Sequence, residues 1–122
     1  MLLRAADAFF REAGKKEPVS LAFVTDREMK KWNTLYRGKR KTTDVLSFRD
    51  RDSKDRAPGE SGGEILISYA QAEKQAKEKG HSVSREVVIL FVHGLAHLYG
   101  YTHDREKDAK EMENLEKKVL GL

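Results

Sequence analysis

Apolar residues recur along this chain at two spacings, one helical and one extended. Leu2, Leu3, Ala6, Phe9, Phe10 and Ala13 share one face of a helical wheel with charges opposite. They predict a helix from about Leu2 to Ala13, stopped by Gly14. Behind Pro18, Val19–Val24 reads as a strand. Thr25 with Glu28 is a capping box that opens a helix running to about Tyr36. Asp44–Phe48 and Glu64–Ile67 are short and rich in branched apolar residues, as strands are. Ser68 with Gln71 makes a second capping box, for a helix ending at Gly80. Val83–Tyr99 is apolar almost all round, the mark of a helix covered on every side. A last amphipathic helix, about Arg105–Leu120, turns Ala109, Met112, Leu115 and Val119 inward. The expected fold is α+β: a small sheet of about three to four strands packed against helices, with a buried central helix that carries histidines.

Length and composition sharpen that picture. A chain of 122 residues buries a real core but has no room for two, so one domain over residues 1–122 is expected. With 39% hydrophobic and 36% charged residues, it is too apolar for disorder and heavily charged outside. The absence of cysteine excludes disulfides and thiolate metal ligands and fits a reducing compartment. The opening helix lacks the continuous apolar core of a signal peptide. Val87–Leu98 is interrupted by two histidines and is too short to cross a bilayer. A cytoplasmic location with no membrane partner follows as the default. The irregular stretch Arg49–Gly63 is long for a loop in a compact domain. It reads as a flap near a functional site or as a plain connector.

The chemistry concentrates in the run FVHGLAHLYGYTHDRE, which holds three of the four histidines. On a helix, His93 and His97 fall one above the other, where two imidazoles can share one metal ion. Such pairs also arise by chance. Here Gly100 stands where a helix needs positive φ, letting the chain double back and bring His103 up as a third ligand. Three neutral imidazoles leave a tetrahedral Zn²⁺ one open position, the arrangement of a catalytic site. The run departs from the zinc-peptidase signature HExxHxxGxxH: Gly94 stands where that motif has its glutamate base, and the last gap is longer. A glycine there leaves room beside the metal for something bulky.

At this point the sequence resembles the YbeY-type endoribonucleases, whose histidine run reads close to HGxLHLxGYDH. Here His93 to His103 reads HGLAHLYGYTH. A second hallmark, close to NxxYRxKxxPTDVLSFP, matches NTLYRGKRKTTDVLSFR from Asn33 to Arg49, and a third matches Gly63-Glu64-Ile65. The departures are Thr42 and Arg49 for prolines, Ala96 for leucine, and Thr102 for the aspartate before the last histidine. Thr102 bears on how His103 is oriented. The family usually has a strand before its first helix, and none is legible here.

The resemblance implies a single-strand-specific, zinc-dependent endoribonuclease of small-subunit ribosomal RNA maturation and ribosome quality control. Its partners would be single-stranded RNA, ribosomal RNA and the ribosome or its small subunit, without DNA. It also implies Arg37 as the phosphate-binding catalytic residue, in the YR-x-K block; a guanidinium suits phosphate better than an ammonium. Net charge is only +4, but Arg37, Lys39, Arg40 and Lys41 cluster directly after Tyr36. A basic cluster is often just a solvated loop; inside this block, RNA-phosphate contact is expected of Lys39, Arg40 and Lys41. Attack by an activated water and by the RNA's own 2′-OH both fit these residues. Asp104 and Glu64 are less secure candidates for proton transfer, and Asp104 equally suits a helix cap. His81 is expected at the surface. Trp32 and Tyr36, on neighbouring turns, suit base stacking or the core. Two other functions stay open: a metallopeptidase-like hydrolase, against which the missing glutamate argues, and a non-catalytic RNA- or ribosome-binding factor with a structural zinc.

Overall fold

The computed structural model describes residues 2–14, 16–48, 63–101 and 105–121. Five helices and three strands follow one another as α1 (Leu2–Ala13), β1 (Val19–Val24), α2 (Asp26–Arg37), β2 (Val45–Phe48), β3 (Gly63–Ser68), α3 (Tyr69–Lys79), α4 (Val83–Leu98) and α5 (Glu106–Leu120). The architecture is α+β, as the periodicity predicts. The Arg49–Gly63 stretch, expected to be a flap or connector, lies outside the described residues up to Gly63, which opens β3.

The sheet is mixed, in the order β1-β3-β2. β1 runs parallel to β3, with Leu21 opposite Ile65, and β2 runs antiparallel to it, with Leu46 opposite Leu66. β3 is therefore the middle strand, and its alternating side chains serve two cores. Ile65 and Ile67, both fully buried, face a large cluster built with Phe9, Val92, Leu95 and Met112. Leu66 faces the other way, onto Met29 and Leu46. So α2 covers one face of the sheet, and α4, backed by α1, α3 and α5, covers the other. Nine of the residues of α4 are buried, which accounts for its all-round apolar sequence.

Local signals set the boundaries. The Thr25 box is complete: its hydroxyl accepts from the Glu28 N–H at 3.1 Å, and the Thr25 N–H reaches the Glu28 carboxylate. At Ser68 only half of the expected box forms. Its hydroxyl accepts from the Gln71 N–H at 3.3 Å, but the Gln71 amide turns away to donate to Asp26 at 3.2 Å. The Ser68 N–H that would complete the box donates instead to the Asp44 carbonyl at 2.9 Å, leaving the Gln71 amide to serve the Asp26 carboxylate. Leu3, expected on the inner face of α1, is 82% exposed, because α1 meets its neighbours through Ala5 and Phe9 instead. Among the described residues, no helix is long and apolar enough to cross a membrane.

Candidate active site

His93 and His97 lie one turn apart on α4, as expected, and both remain partly accessible while the residues between them are buried. Their rings stand edge to face, centroids 4.6 Å apart, with the two Nε2 atoms 3.1 Å apart. The other nitrogen of His93, Nδ1, lies 2.7 Å from Oε1 of Glu116 on α5. A carboxylate only accepts, so Nδ1 carries the hydrogen and Nε2 of the neutral ring presents its lone pair toward His97. The contact is closed either by a hydrogen on His97 Nε2 donated to His93 or by a cation held between the two rings.

The spacing suits a cation. Zn–N bonds of about 2.0–2.1 Å at a tetrahedral angle put the two nitrogens roughly 3.3 Å apart, close to the 3.1 Å observed. The carboxylate behind His93 is the orienting partner that metal-ligating histidines ordinarily have. The two donors among the described residues are both imidazole nitrogens, which suit zinc better than calcium or magnesium. After α4, Gly100 takes φ +89° and the Tyr101 N–H returns to the Ala96 carbonyl at 3.0 Å. The chain turns back here as the sequence predicts. His103, the expected third ligand, lies outside the described residues, as do Thr102 and Asp104.

Both imidazoles open onto a cavity of about 470 Å³ whose walls include Arg37, Thr43, Asp44 and Ser47. Arg37 thus shares the cleft of the histidines, although more than fifty positions separate them in sequence. It is the last residue of α2, where its positive charge also complements the helix terminus. Asp44 fixes the wall opposite. Its carboxylate accepts from its neighbour's Val45 N–H at 2.8 Å and from Gln75 Nε2 of α3 at 3.0 Å. Its carbonyl accepts from the Ser68 N–H at 2.9 Å. Buried Asn33 donates to the Lys41 carbonyl at 2.8 Å, securing the basic turn against α2. Lys39, Arg40 and Lys41 are all exposed on that turn and do not line the histidine cleft.

Several expectations change. Gly94 does not leave room beside a metal: a side chain there would point into the sheet, its Cβ 3.0 Å from Ile65 and 3.3 Å from Val45. The glycine serves close helix–sheet approach. Nor is His81 a surface residue. It sits against the fully buried carboxylate of Glu86, Nε2 to Oε1 3.5 Å, which also takes the Lys79 ammonium at 2.7 Å. Glu64 is exposed on β3 and lines no part of the cleft. Glu116 and Asp44 escaped sequence reasoning. The signal for Asp44 was its place in the TDVLSF block; for Glu116 it was a carboxylate bordering the inward stripe of Met112, Leu115 and Val119.

Comparison with known proteins adds the family and the fold to this geometry. A family model described as Endoribonuclease YbeY matches residues 2–121. The chain is 43% identical to the endoribonuclease YbeY of Pelotomaculum thermopropionicum, over 99% of this chain and 83% of that protein. It is 48% identical to that of Alkaliphilus metalliredigens, over 84% and 68%, and 40% identical to that of Carboxydothermus hydrogenoformans, over 99% and 82%. In fold it is similar to a Thermotoga maritima protein whose solution structure is known, with a TM-score of 0.61 at 23% identity over 98% of this chain and 79% of that one.

Proposed function

The chain belongs to the endoribonuclease YbeY family, and from that premise we propose that it is a hydrolase cutting single-stranded RNA internally at one divalent metal ion. His93 and His97 hold the ion, with His103 as third ligand. The observation that carries this reading is the convergence of two imidazole nitrogens, one oriented by Glu116, within the cleft that also holds Arg37.

When bound, zinc supplies a Lewis acid and brings the ionisation of a coordinated water toward neutral pH. The remaining work falls to side chains of this chain. Glu116 keeps the hydrogen of His93 on Nδ1 and so keeps Nε2 directed into the cleft. Arg37 binds the phosphate bidentately and stabilises the charge that grows on it as the bond to phosphorus forms. Asp44 holds the wall from which Ser47 and Val45 face the substrate. Lys39, Arg40 and Lys41 carry flanking phosphates of the strand over the exposed turn. The peptidase alternative lacks its general base, because position 94 is a glycine packed on Ile65. The family resemblance further supports small-subunit ribosomal RNA as substrate, with action at the ribosome in the cytoplasm.

The test is cleavage of a defined single-stranded RNA, with metal content measured on the same preparations. His97→Ala is expected to lose the metal and to cut at least about 100-fold more slowly. Arg37→Glu is expected to keep the metal and lose activity by roughly 100- to 1,000-fold. Chelation abolishes cleavage and added zinc restores it. Undiminished cleavage by His97→Ala, or in excess chelator, removes metal catalysis from the account.

A further inference from the structure

β2 is an edge strand. β3 covers one of its flanks, and among the described residues no strand covers the other. In an antiparallel pair, successive residues turn their N–H and C=O alternately toward the neighbouring strand and away from it. The phase of that alternation is fixed at the start of β2. Asp44 stands opposite Ser68, one step beyond the Val45–Ile67 pair, and its carbonyl accepts the Ser68 N–H at 2.9 Å. Asp44, Leu46 and Phe48 therefore direct their main-chain groups to β3. Val45 and Ser47 direct theirs outward, along the free edge.

The two outward N–H groups differ. That of Val45 is occupied, because it donates to the Asp44 carboxylate at 2.8 Å, and Gln75 holds the same carboxylate at 3.0 Å. That of Ser47 meets no acceptor among the described residues, and Ser47 lines the cleft together with His93, His97 and Arg37. A main-chain donor on a paired strand is fixed in place and loses no rotamer freedom when it binds. A peptide laid along this edge would need both N–H groups, and one of its carbonyls would meet the Asp44 carboxylate instead. A phosphate oxygen only accepts, and needs one open donor.

We propose that the Ser47 main-chain N–H donates to a non-bridging oxygen of the phosphate that Arg37 binds, so that the free edge of β2 supplies a second, rigid donor to the cleft. This rests on the RNA-cutting reading for the identity of the phosphate. The two donors have different tasks. Arg37 reaches the phosphate on a long side chain, whereas Ser47 belongs to a strand laddered to β3 and sets where the phosphate rests relative to His93 and His97. As charge grows on the phosphate, the same N–H stabilises it without having to reorient.

Two measurements on the full, zinc-loaded chain test this. The first follows the Ser47 amide resonance while a short single strand of 2′-fluoro RNA, checked to be intact afterwards, is added. The amide proton should move downfield as the strand binds. A methylphosphonate strand, with the same sugars and bases but no anionic oxygens, should leave it in place. The second compares cleavage by two variants of equal metal content. Ser47→Pro removes the N–H, which an edge strand tolerates where that group faces outward, and Ser47→Ala removes the hydroxyl alone. The proline variant should cut single-stranded RNA roughly 100-fold more slowly than the alanine variant. Equal rates for the two variants overturn the proposal, as does a Ser47 amide that ignores the phosphates. Should the proline variant not fold, the amide titration decides alone. Wild type that cuts no RNA while its Ser47 amide still follows the phosphates would sink the catalytic reading and keep the phosphate site.

Discussion

Glu116 decides which nitrogen His93 offers. Without a carboxylate at 2.7 Å the ring is free to put its hydrogen on either nitrogen, and half of the convergence with His97 is lost. Glu116→Gln retains an acceptor of nearly the same shape but removes the charge. Zinc affinity, measured by competition with a chromophoric chelator, should fall about 10- to 100-fold, with little change in the stability of the metal-free protein. Unchanged affinity would reduce Glu116 to a bystander. Arg37 differs in kind: it lines the cleft without a hydrogen bond to His93 or His97, so its replacement should separate phosphate binding from metal binding.

Between elements, two positions hold the cleft in shape. Gly94 lets α4 approach the sheet until an added Cβ would sit 3.0 Å from Ile65. Alanine there gains about 1 kcal/mol in helix propensity but overpacks a fully buried neighbour, which costs about 1–3 kcal/mol. Gly94→Ala should therefore be net destabilising by roughly 1 kcal/mol in urea unfolding. A more stable variant would show that Ile65 can move. Asp26 ties α2 to the far side of the sheet, accepting from Ser68 at 2.6 Å, from Gln71 at 3.2 Å and from Thr42 at 3.3 Å. The Ser68 hydroxyl above all holds its carboxyl below the ordinary 3.8, with Gln71, Thr42 and the charge of Lys74 adding to this and burial opposing it. The folded chain thus binds this proton less readily than the unfolded chain. Its stabilisation is present above about pH 4 and disappears as the pH falls through the lower folded value. Wild type should lose its urea midpoint on acidification more steeply than Asp26→Asn, which starts lower at neutral pH by about 1 kcal/mol. Parallel acid slopes would contradict the assignment.

These same positions mark where sequence reading stopped. Among the described residues, periodicity, caps and runs of branched apolar residues found each helix and strand to within a residue or two, because these signals are local to the element. The histidine spacing was legible for the same reason, being a property of one helix. What a helical wheel cannot supply is the identity of the facing surface. Leu3 shares the wheel's apolar side yet stands in solvent, and Gly94 faces the sheet rather than the cleft. Asp26 with Ser68, Asp44 with Gln75 and His93 with Glu116 all meet through the fold and leave no periodic trace. Arg37 was reached only through its motif.

Across the whole molecule, the proposed metal would stabilise the native state, since the converging imidazoles exist only in the folded chain. Zinc at about 100 times its dissociation constant adds about 2.7 kcal/mol to unfolding, a rise of roughly 5–10 °C in Tm for a domain of this size. Wild type should show that rise in calorimetry and His97→Ala should not. An equal rise in both would locate the ion elsewhere.

The chain order of these parts has a consequence for biosynthesis. Arg37 on α2 emerges from the ribosome first, the imidazoles of α4 much later, and Glu116, near the end of α5, later still. A nascent chain therefore carries Arg37 long before α5 can pack on α4 and bring Glu116 to His93, so the arrangement of the cleft is completed late in synthesis.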